Sequence, residues 1–274
     1  MGKIATDELR SLLSEISFDV QLYVKDCLTG EEFAYRADEK VPSASTIKVP
    51  LLALLLKDAY EGHLEMDVPR SLPDINRVGG SGLLRYLSKE YKPTLRDLAL
   101  LMITVSDNAA TNEIIDAVGI DRFNQTWKEW GCCHTGLNRK MMDRAAILQG
   151  KDNFISAFDA GRILDMAARG ELFSKAISDE LFQILCRQKL RNRLPLLLPV
   201  TDEYDSNGDV PPGKVMVANK TGSVAGVNND IGIFELPNHH RYIMAVYTHG
   251  FQQEADAVML IAKLSKAVYD GLKD

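Results

Sequence analysis

Three short motifs contain the residues of this chain that are best suited to covalent chemistry. They are Ser45-Thr46-Ile47-Lys48, Ser106-Asp107-Asn108 and Lys220-Thr221-Gly222. Average residue usage predicts about one chance Ser-x-x-Lys in a chain of this length, whereas each of the other two motifs is rare. A serine hydroxyl becomes an effective nucleophile when a neighbouring base takes its proton, and lysine can be that base. The combination of the three, in this order, therefore indicates acyl transfer to a serine.

The first motif opens an apolar segment that predicts a buried helix from Thr46 to Tyr60. Because residues three apart share one face of a helix, Lys48 is expected beside Ser45. Burial and a nearby cation such as Lys220 both disfavour an ammonium, so they prepare Lys48 to act as a base. The backbone amide of Ser45 is a candidate for half of an oxyanion hole. Alone, the motif more often means a serine that caps a helix beside a solvated lysine.

The second motif is a short polar segment between two apolar helices, which places its side chains in a cleft. Ser106 is expected to relay a proton to a leaving nitrogen, and Asn108 to hold an amide of the substrate. A simple capping turn is the alternative, because Ser, Asp and Asn are all favoured at helix starts.

The third motif ends a predicted strand that begins at Val215. Lys220 and Thr221 are expected to bind a carboxylate of the substrate. Gly222 permits close approach of another backbone, which we expect to be a substrate that pairs as an extra strand. The amide of Ser223 is the candidate second oxyanion donor. An exposed turn at a strand end is the alternative.

Bulk properties exclude several other classes of protein. The 274 residues carry a net charge of −6, which argues against a nucleic-acid partner, since phosphate contacts need a basic face. No apolar run approaches the ~20 residues of a membrane span. No metal-ligand cluster and no phosphate-binding loop is seen, so no cofactor or metal is predicted. We expect a monomer that takes a small-molecule substrate, cytoplasmic as the chain stands, or exported if a leader has been removed.

The pattern of elements predicts an α+β fold. Five strands are expected, two near the amino terminus and three after residue 214, and they should meet in one antiparallel sheet flanked by the terminal helices. An all-helical domain is inserted between the second and third strands. We predict a sheet domain of residues 1–40 plus 195–274 and a helical domain of residues 41–194, with the active site in the cleft between them.

With these motifs the chain resembles the class A β-lactamases and the wider penicillin-recognising serine acyl-transferase superfamily. The resemblance runs from about Phe18 to the carboxyl terminus. It implies that Ser45 is acylated with the help of Lys48, and that Ser106 and Lys220 assist. It also implies that Asn108, Thr221, Gly222 and Ser223 bind the substrate. The β-lactamase or DD-peptidase fold that it implies agrees with the α+β prediction.

One departure from the family pattern concerns the release of the acyl group. Efficient class A enzymes carry a loop glutamate that activates water, and Met141 stands at that place here. Because a thioether cannot accept a proton, slow deacylation is expected. Asp143 is the nearby substitute base, or else a carboxylate that stabilises the loop. In addition, no arginine occurs between Lys220 and Arg241, which leaves the second carboxylate anchor of the family unassigned.

Two other functions fit the same residues. One is a D-alanyl peptidase or esterase that acts on cell-wall fragments or small esters. The other is a sensor that is acylated by penicillin without release. A β-lactamase-related hydrolase, which opens a β-lactam or similar amide, is the primary prediction.

Overall fold

A computed structural model describes residues 2–273 of the chain. The helices are α1 (Thr6–Ser14), α2 (Lys48–Tyr60), α3 (Leu95–Thr104), α4 (Asn108–Val118), α5 (Ile120–Glu129), α6 (Arg144–Leu148), α7 (Ala157–Ala168), α8 (Lys175–Cys186) and α9 (Glu254–Leu272). The strands are β1 (Asp19–Asp26), β2 (Glu32–Tyr35), β3 (Val41–Pro42), β4 (Phe154–Ile155), β5 (Val200–Thr201), β6 (Val215–Val224), β7 (Val227–Glu235) and β8 (Arg241–His249).

The main sheet has six strands in the order β2-β1-β8-β7-β6-β5, so the prediction of five strands is wrong by one. The additional strand, β5, has only two residues and pairs with the start of β6 in parallel. Two residues are too few to display the alternation of apolar and polar side chains that identifies a strand. The other pairs are antiparallel, as predicted. Strands β3 and β4 form a separate antiparallel pair.

The two faces of the main sheet bury separate apolar cores. On one face, the predicted terminal helices α1 and α9 pack together over residues such as Leu22, Val217 and Val246. The other face meets the helices that come between β2 and β5 in the chain, with residues such as Ala218, Ile231 and Ala245 in contact with them. The sheet is therefore apolar on both sides, which explains why nearly every residue of β6, β7 and β8 is buried.

Helix α2 lies inside the helical layer, as its apolar sequence predicts. Every residue from Lys48 to Leu56 is buried, because α3, α4 and α8 surround the helix. The helix is preceded by a tighter 3-10 turn over Ala44–Ile47. Ser45 therefore lies in this turn, and Lys48 is the first residue of α2, which follows the turn directly.

Strand β6 is longer than predicted and includes the third motif. Lys220 pairs with Ile231 and Ser223 pairs with Asn228, so the motif lies within the strand and does not end it. The sequence predicts a strand over residues 215–219 that the motif ends; the strand instead continues to Val224, because the hairpin turn comes later, at Ala225 and Gly226. Beyond Met216, β6 has no strand on its other side within the described sheet. Along this unpaired edge the residues are buried as far as Gly222, and Ser223 and Val224 are exposed.

None of the helices within residues 2–273 combines the length and apolarity needed to cross a membrane.

Candidate active site

The turn that carries Ser45 is held by contacts from the sheet. The hydroxyl of Thr46 donates to the carbonyl of Ser43 at 2.7 Å and lies 3.2 Å from the hydroxyl of Tyr247 on β8. The side-chain amide of Asn229 on β7 donates to the Pro42 carbonyl at 3.0 Å. Ala44 has a φ of +46°, a left-handed conformation that costs a non-glycine residue free energy. Such strain is retained where the surrounding structure requires it, here directly before the candidate nucleophile.

Gly222 lets β6 contact this turn at van der Waals distance. A Cβ atom at position 222 would lie 3.0 Å from both the amide nitrogen of Ser45 and the carbonyl oxygen of Ser43. Gly222 thus permits a close approach of the protein's own backbone at Ser43 and Ser45, and its pairing with a substrate strand stays a prediction. Because Ser223 follows Gly222, the two candidate oxyanion donors, the amides of Ser45 and Ser223, belong to backbone segments in direct contact.

Lys48 reaches from α2 to the second motif. Its Nζ lies 2.8 Å from the carbonyl oxygen of Ser106, 3.1 Å from the Ser106 hydroxyl and 3.0 Å from Oδ1 of Asn108. The Ser45 hydroxyl is not among these partners; Ser45 instead lines an adjacent cavity. The lysine is fully buried, so these three oxygens replace water around its amine.

Lys220 approaches the same serine from β6. Its Nζ donates to the Ser106 hydroxyl at 3.1 Å and to the carbonyl of Thr221 at 2.7 Å. The Ser106 hydroxyl therefore lies between two buried amines, although the three residues are far apart in the chain. A hydroxyl that contacts both amines can pass a proton between them.

Burial and mutual repulsion change the protonation of both lysines. Burial, helped by the charge of Lys220, holds the pKa of Lys48 well below its ordinary value, while Asp107 acts in the opposite direction. Burial also lowers the pKa of Lys220 to about 7; the nearby Asp230 raises it and Arg193 lowers it further. A lysine with a lowered pKa has a substantial neutral fraction near pH 7, which a general base requires.

A buried carboxylate lies beneath Lys220, on β7. Both oxygens of Asp230 accept from the side-chain amide of Asn219, at 3.0 and 3.1 Å, and one also accepts from the amide of Leu194. Burial raises the pKa of Asp230 to about 6. Asp230 therefore has two roles. It holds the backbone next to Arg193 through the amide of Leu194, and its charge acts on Lys220.

Arg193 is a candidate binding residue that the sequence analysis did not identify. Its guanidinium donates to the Ser223 hydroxyl at 2.5 Å, to Oδ1 of Asn228 at 2.5 Å and to the Asn229 carbonyl at 2.9 Å. It is almost fully buried against β6 and β7. Arg193 comes from the segment before β5 and contacts Ser223, directly after the third motif, so it is a candidate for the second carboxylate anchor. No local motif marks it, because its position depends on how that segment folds back.

The second motif is held in an unusual conformation. Ser106 has a φ of +56°, which directs both its carbonyl and its hydroxyl toward Lys48. Asp107 caps α4 through the amide of Ala110. Its other oxygen accepts from the amides of Leu83 and Leu84, at 2.6 and 2.7 Å. Asp107 thus holds the loop around Leu83 and Leu84 next to the site, a role that its sequence pattern did not indicate.

Asn108 connects that loop to Lys48. Its Oδ1 accepts from Lys48, and its Nδ2 donates to the carbonyl of Gly79 at 3.1 Å. Its backbone amide donates to the carbonyl of Ser81. In this structure the side chain therefore orients Lys48, and its contact with a substrate amide stays a prediction.

A cavity of about 260 Å³ opens beside Ser45. It is bounded by the turn before α2, the loop that Asp107 holds, the segment around α6 and the end of β6. Its lining residues are Ala44, Ser45, Gly80, Ser81, Asn108, Arg139, Met141, Met142, Arg144, Ile147, Asp152, Asn153, Ser223 and Val224.

Met141 and Asp143 take different positions relative to this cavity. Met141 lines it, and its backbone is held on both sides by the side chain of Asn112, at 2.8 and 3.2 Å. Asp143 is not among the lining residues, and its carboxylate caps α6 by accepting from the amide of Ala146 at 3.0 Å. This contact matches the loop-stabilising alternative; the role of Asp143 as a base stays a prediction.

The model of the β-lactamase enzyme family matches residues 4–272, which is almost the whole chain. The chain belongs to the β-lactamase enzyme family. β-Lactamase ROB-1 of Haemophilus influenzae is 26% identical over 254 residues, which are 90% of this chain and 77% of that protein. The solved β-lactamase of Sphaerobacter thermophilus has a TM-score of 0.85 at 25% identity, over 97% of this chain and 96% of that one.

A second solved structure, PBP-A, has a TM-score of 0.84 at 28% identity, over 97% of this chain and 94% of that one. A mutant of PBP-A has been solved as an acyl-enzyme complex with penicillin G. These similarities and the family membership agree with the fold described above. The chain is therefore a β-lactamase-like hydrolase that acts on cyclic amides.

Proposed function

We propose that the protein opens a β-lactam, or a similar amide that carries a carboxylate, through an acyl-enzyme on Ser45, and that it releases the acyl group slowly. One observation carries the proposal: two buried lysines from distant segments converge on the Ser106 hydroxyl, beside the cavity that Ser45 lines. A structural role does not account for this arrangement, because burying two amines side by side opposes folding.

The acylation step follows from the protonation states of the two lysines. Neutral Lys48 takes the proton of Ser45 Oγ, and the oxygen attacks the carbonyl carbon while the amides of Ser45 and Ser223 stabilise the oxyanion. The C–N bond of the amide then breaks. Ser106 delivers a proton to the leaving nitrogen and is reprotonated from Lys48, so the protons balance. Lys220, Thr221 and Arg193 hold the substrate carboxylate on the free edge of β6.

Deacylation needs a base that delivers water to the ester. Met141 occupies the cavity wall and cannot accept a proton, so hydrolysis of the ester is expected to be the slow step. The same observation supports a second candidate function, a penicillin-binding protein that retains its acyl group. The acyl-enzyme captured for the PBP-A mutant is consistent with either function.

The acylation of Ser45 can be tested by intact-mass spectrometry. With benzylpenicillin, the wild-type protein is expected to gain the full mass of the antibiotic, since ring opening loses no atoms, and peptide mapping should place the adduct on Ser45. Ser45→Ala should gain none. Ser81→Ala is the matched control, because Ser81 lines the same cavity, and it should label normally. Equal labelling of Ser45→Ala would show that another residue is the nucleophile.

The rate of adduct loss separates the candidate functions. A half-life of hours would favour a protein that retains penicillin, and multiple turnovers within minutes would favour a β-lactamase. Faster hydrolysis of a D-alanyl peptide or a chromogenic ester than of any β-lactam would instead favour the peptidase or esterase.

Acylation should also depend on pH through Lys220. The anchor is charged below its pKa of about 7 and neutral above it, so the second-order rate of acylation by a carboxylate-bearing β-lactam should fall above pH 7. Lys220→Arg keeps its charge at every accessible pH, and its profile should lack this alkaline fall. Stopped-flow measurement from pH 5 to 9 checks both profiles. If the acylation rate of Lys220→Arg fell above pH 7 in the same way, the fall would have to come from another titrating group.

A further inference from the structure

We propose that the cavity selects substrates whose acyl side chain combines an apolar group with a negative charge, and that Arg144 recognises that charge. The inference rests on the proposed acylation of Ser45, because Ser45 and Arg144 line the same cavity. It concerns the side of the substrate opposite to the carboxylate that Lys220 and Arg193 would hold.

The apolar part of the preference comes from three exposed side chains on the cavity wall. Met142, Ile147 and Val224 have relative exposures of 41%, 47% and 52%, and they come from both sides of the cavity. Large apolar side chains that remain exposed around one opening mark a surface that gains free energy when a ligand covers it. An acyl group with an aliphatic or aromatic portion fits such a surface.

The anionic part of the preference comes from the balance of charge on the same wall. Three charged side chains line the cavity: Arg139, Arg144 and Asp152. Arg139 binds Asp152 at 2.7 Å and also donates to the carbonyl of Lys140, so this pair is neutral. Within residues 2–273, Arg144 is exposed and its side chain has neither a hydrogen bond nor an ion pair.

The wall therefore carries one uncompensated guanidinium beside an apolar surface. A guanidinium binds a carboxylate through two parallel hydrogen bonds, which favours planar anions in particular. Because Arg139 and Asp152 offset each other, Arg144 gives the cavity wall a net positive charge, so a cationic side chain is disfavoured. The preferred substrate is a dianion with one carboxylate at each end of the reacting amide.

Three penicillins that differ only in the substituent on one carbon of the acyl side chain can test this preference. Benzylpenicillin, carbenicillin and ampicillin share a phenylacetyl side chain and carry hydrogen, a carboxylate or an ammonium at its α-carbon. The second-order acylation rates are expected in the order carbenicillin, benzylpenicillin, ampicillin, with about a fivefold step between neighbours at low salt, as for a partly exposed ion pair. The steps should shrink in high salt.

Arg144→Gln should bring the three rates together, and Arg144→Glu should invert their order. Lys151→Gln is the matched control, since it removes an exposed cation from the same segment outside the cavity lining, and it should preserve the order. Equal wild-type rates for all three compounds, or an unchanged order in Arg144→Gln, would overturn this proposal while leaving Ser45 acylation intact. Absence of any adduct would instead refute the proposed function.

Discussion

Lys48→Met is expected to slow acylation by benzylpenicillin by about 10²- to 10⁴-fold, the usual loss when a general base is removed. The proton of Ser45 would then have to go to water or to a poorly placed group. Methionine has a similar length and suits the apolar surroundings of α2, so the fold should persist. The measurement is the rate of adduct formation by quenched-flow mass spectrometry, together with a thermal melt.

Lys57→Met is the control for this experiment. Lys57 lies on the same helix, but its amine is at the surface beside Glu61, outside the cavity lining. Its replacement should leave the acylation rate within about twofold, as is usual for a surface substitution. If Lys48→Met reacted as fast as the wild type and remained folded, Lys48 could not be the base, and the assignment would move to Lys220 or Ser106.

Met141→Glu is expected to accelerate loss of the acyl group by about 10²- to 10⁴-fold, because it places a carboxylate on the cavity wall beside Ser45. The backbone at this position is fixed by Asn112, so the new side chain should point where the thioether now lies. Met141 is only 7% exposed, and burial will raise the pKa of the new carboxyl. Because only the ionised carboxylate can act as the base, the acceleration of deacylation should increase with pH. Adduct decay and steady-state hydrolysis of nitrocefin both measure it.

Two variants complete this test. Leu148→Glu adds the same charge at the end of the neighbouring helix α6, at a side chain that is 89% exposed and outside the cavity, and it should not change the decay rate. Asp143→Asn tests whether the cap of α6 is also the wild-type base. If the wild type hydrolyses nitrocefin rapidly and Asp143→Asn does so equally well, neither Met141 nor Asp143 controls deacylation.

The two lysines could be identified from the sequence as candidate functional residues, because each lies in a recognisable motif. Their hydrogen bonds could not, since the spacing led us to expect Lys48 beside Ser45, and Lys48 instead bonds Ser106 and Asn108. Their convergence on Ser106 depends on tertiary structure, and only the combination of motifs pointed to it. The α+β layout was predictable for a similar reason, since long helices and strands show clear periodicity.

Residues whose roles depend on distant contacts were not predictable. Arg193 lies in a segment with no motif, and it reaches Ser223 from a backbone that Asp230 holds through the amide of Leu194. Asp107 looked like a cap, yet it also binds two amides of a loop more than 20 residues earlier. The short strand β5 and the five-residue helix α6 contain too few residues to show a period.

The contact of Gly222 with the Ser43–Ser45 backbone has a consequence for how the protein folds. It joins segments that lie almost 180 residues apart, and the bond between Lys220 and Ser106 closes a loop of 114 residues. Contacts of such long range form after local ones, because ordering the intervening chain costs entropy. On the proposed mechanism, Ser45 becomes competent for acylation only once the chain has reached its complete topology. A covalent penicillin label would then count native molecules and leave partly folded ones unmarked.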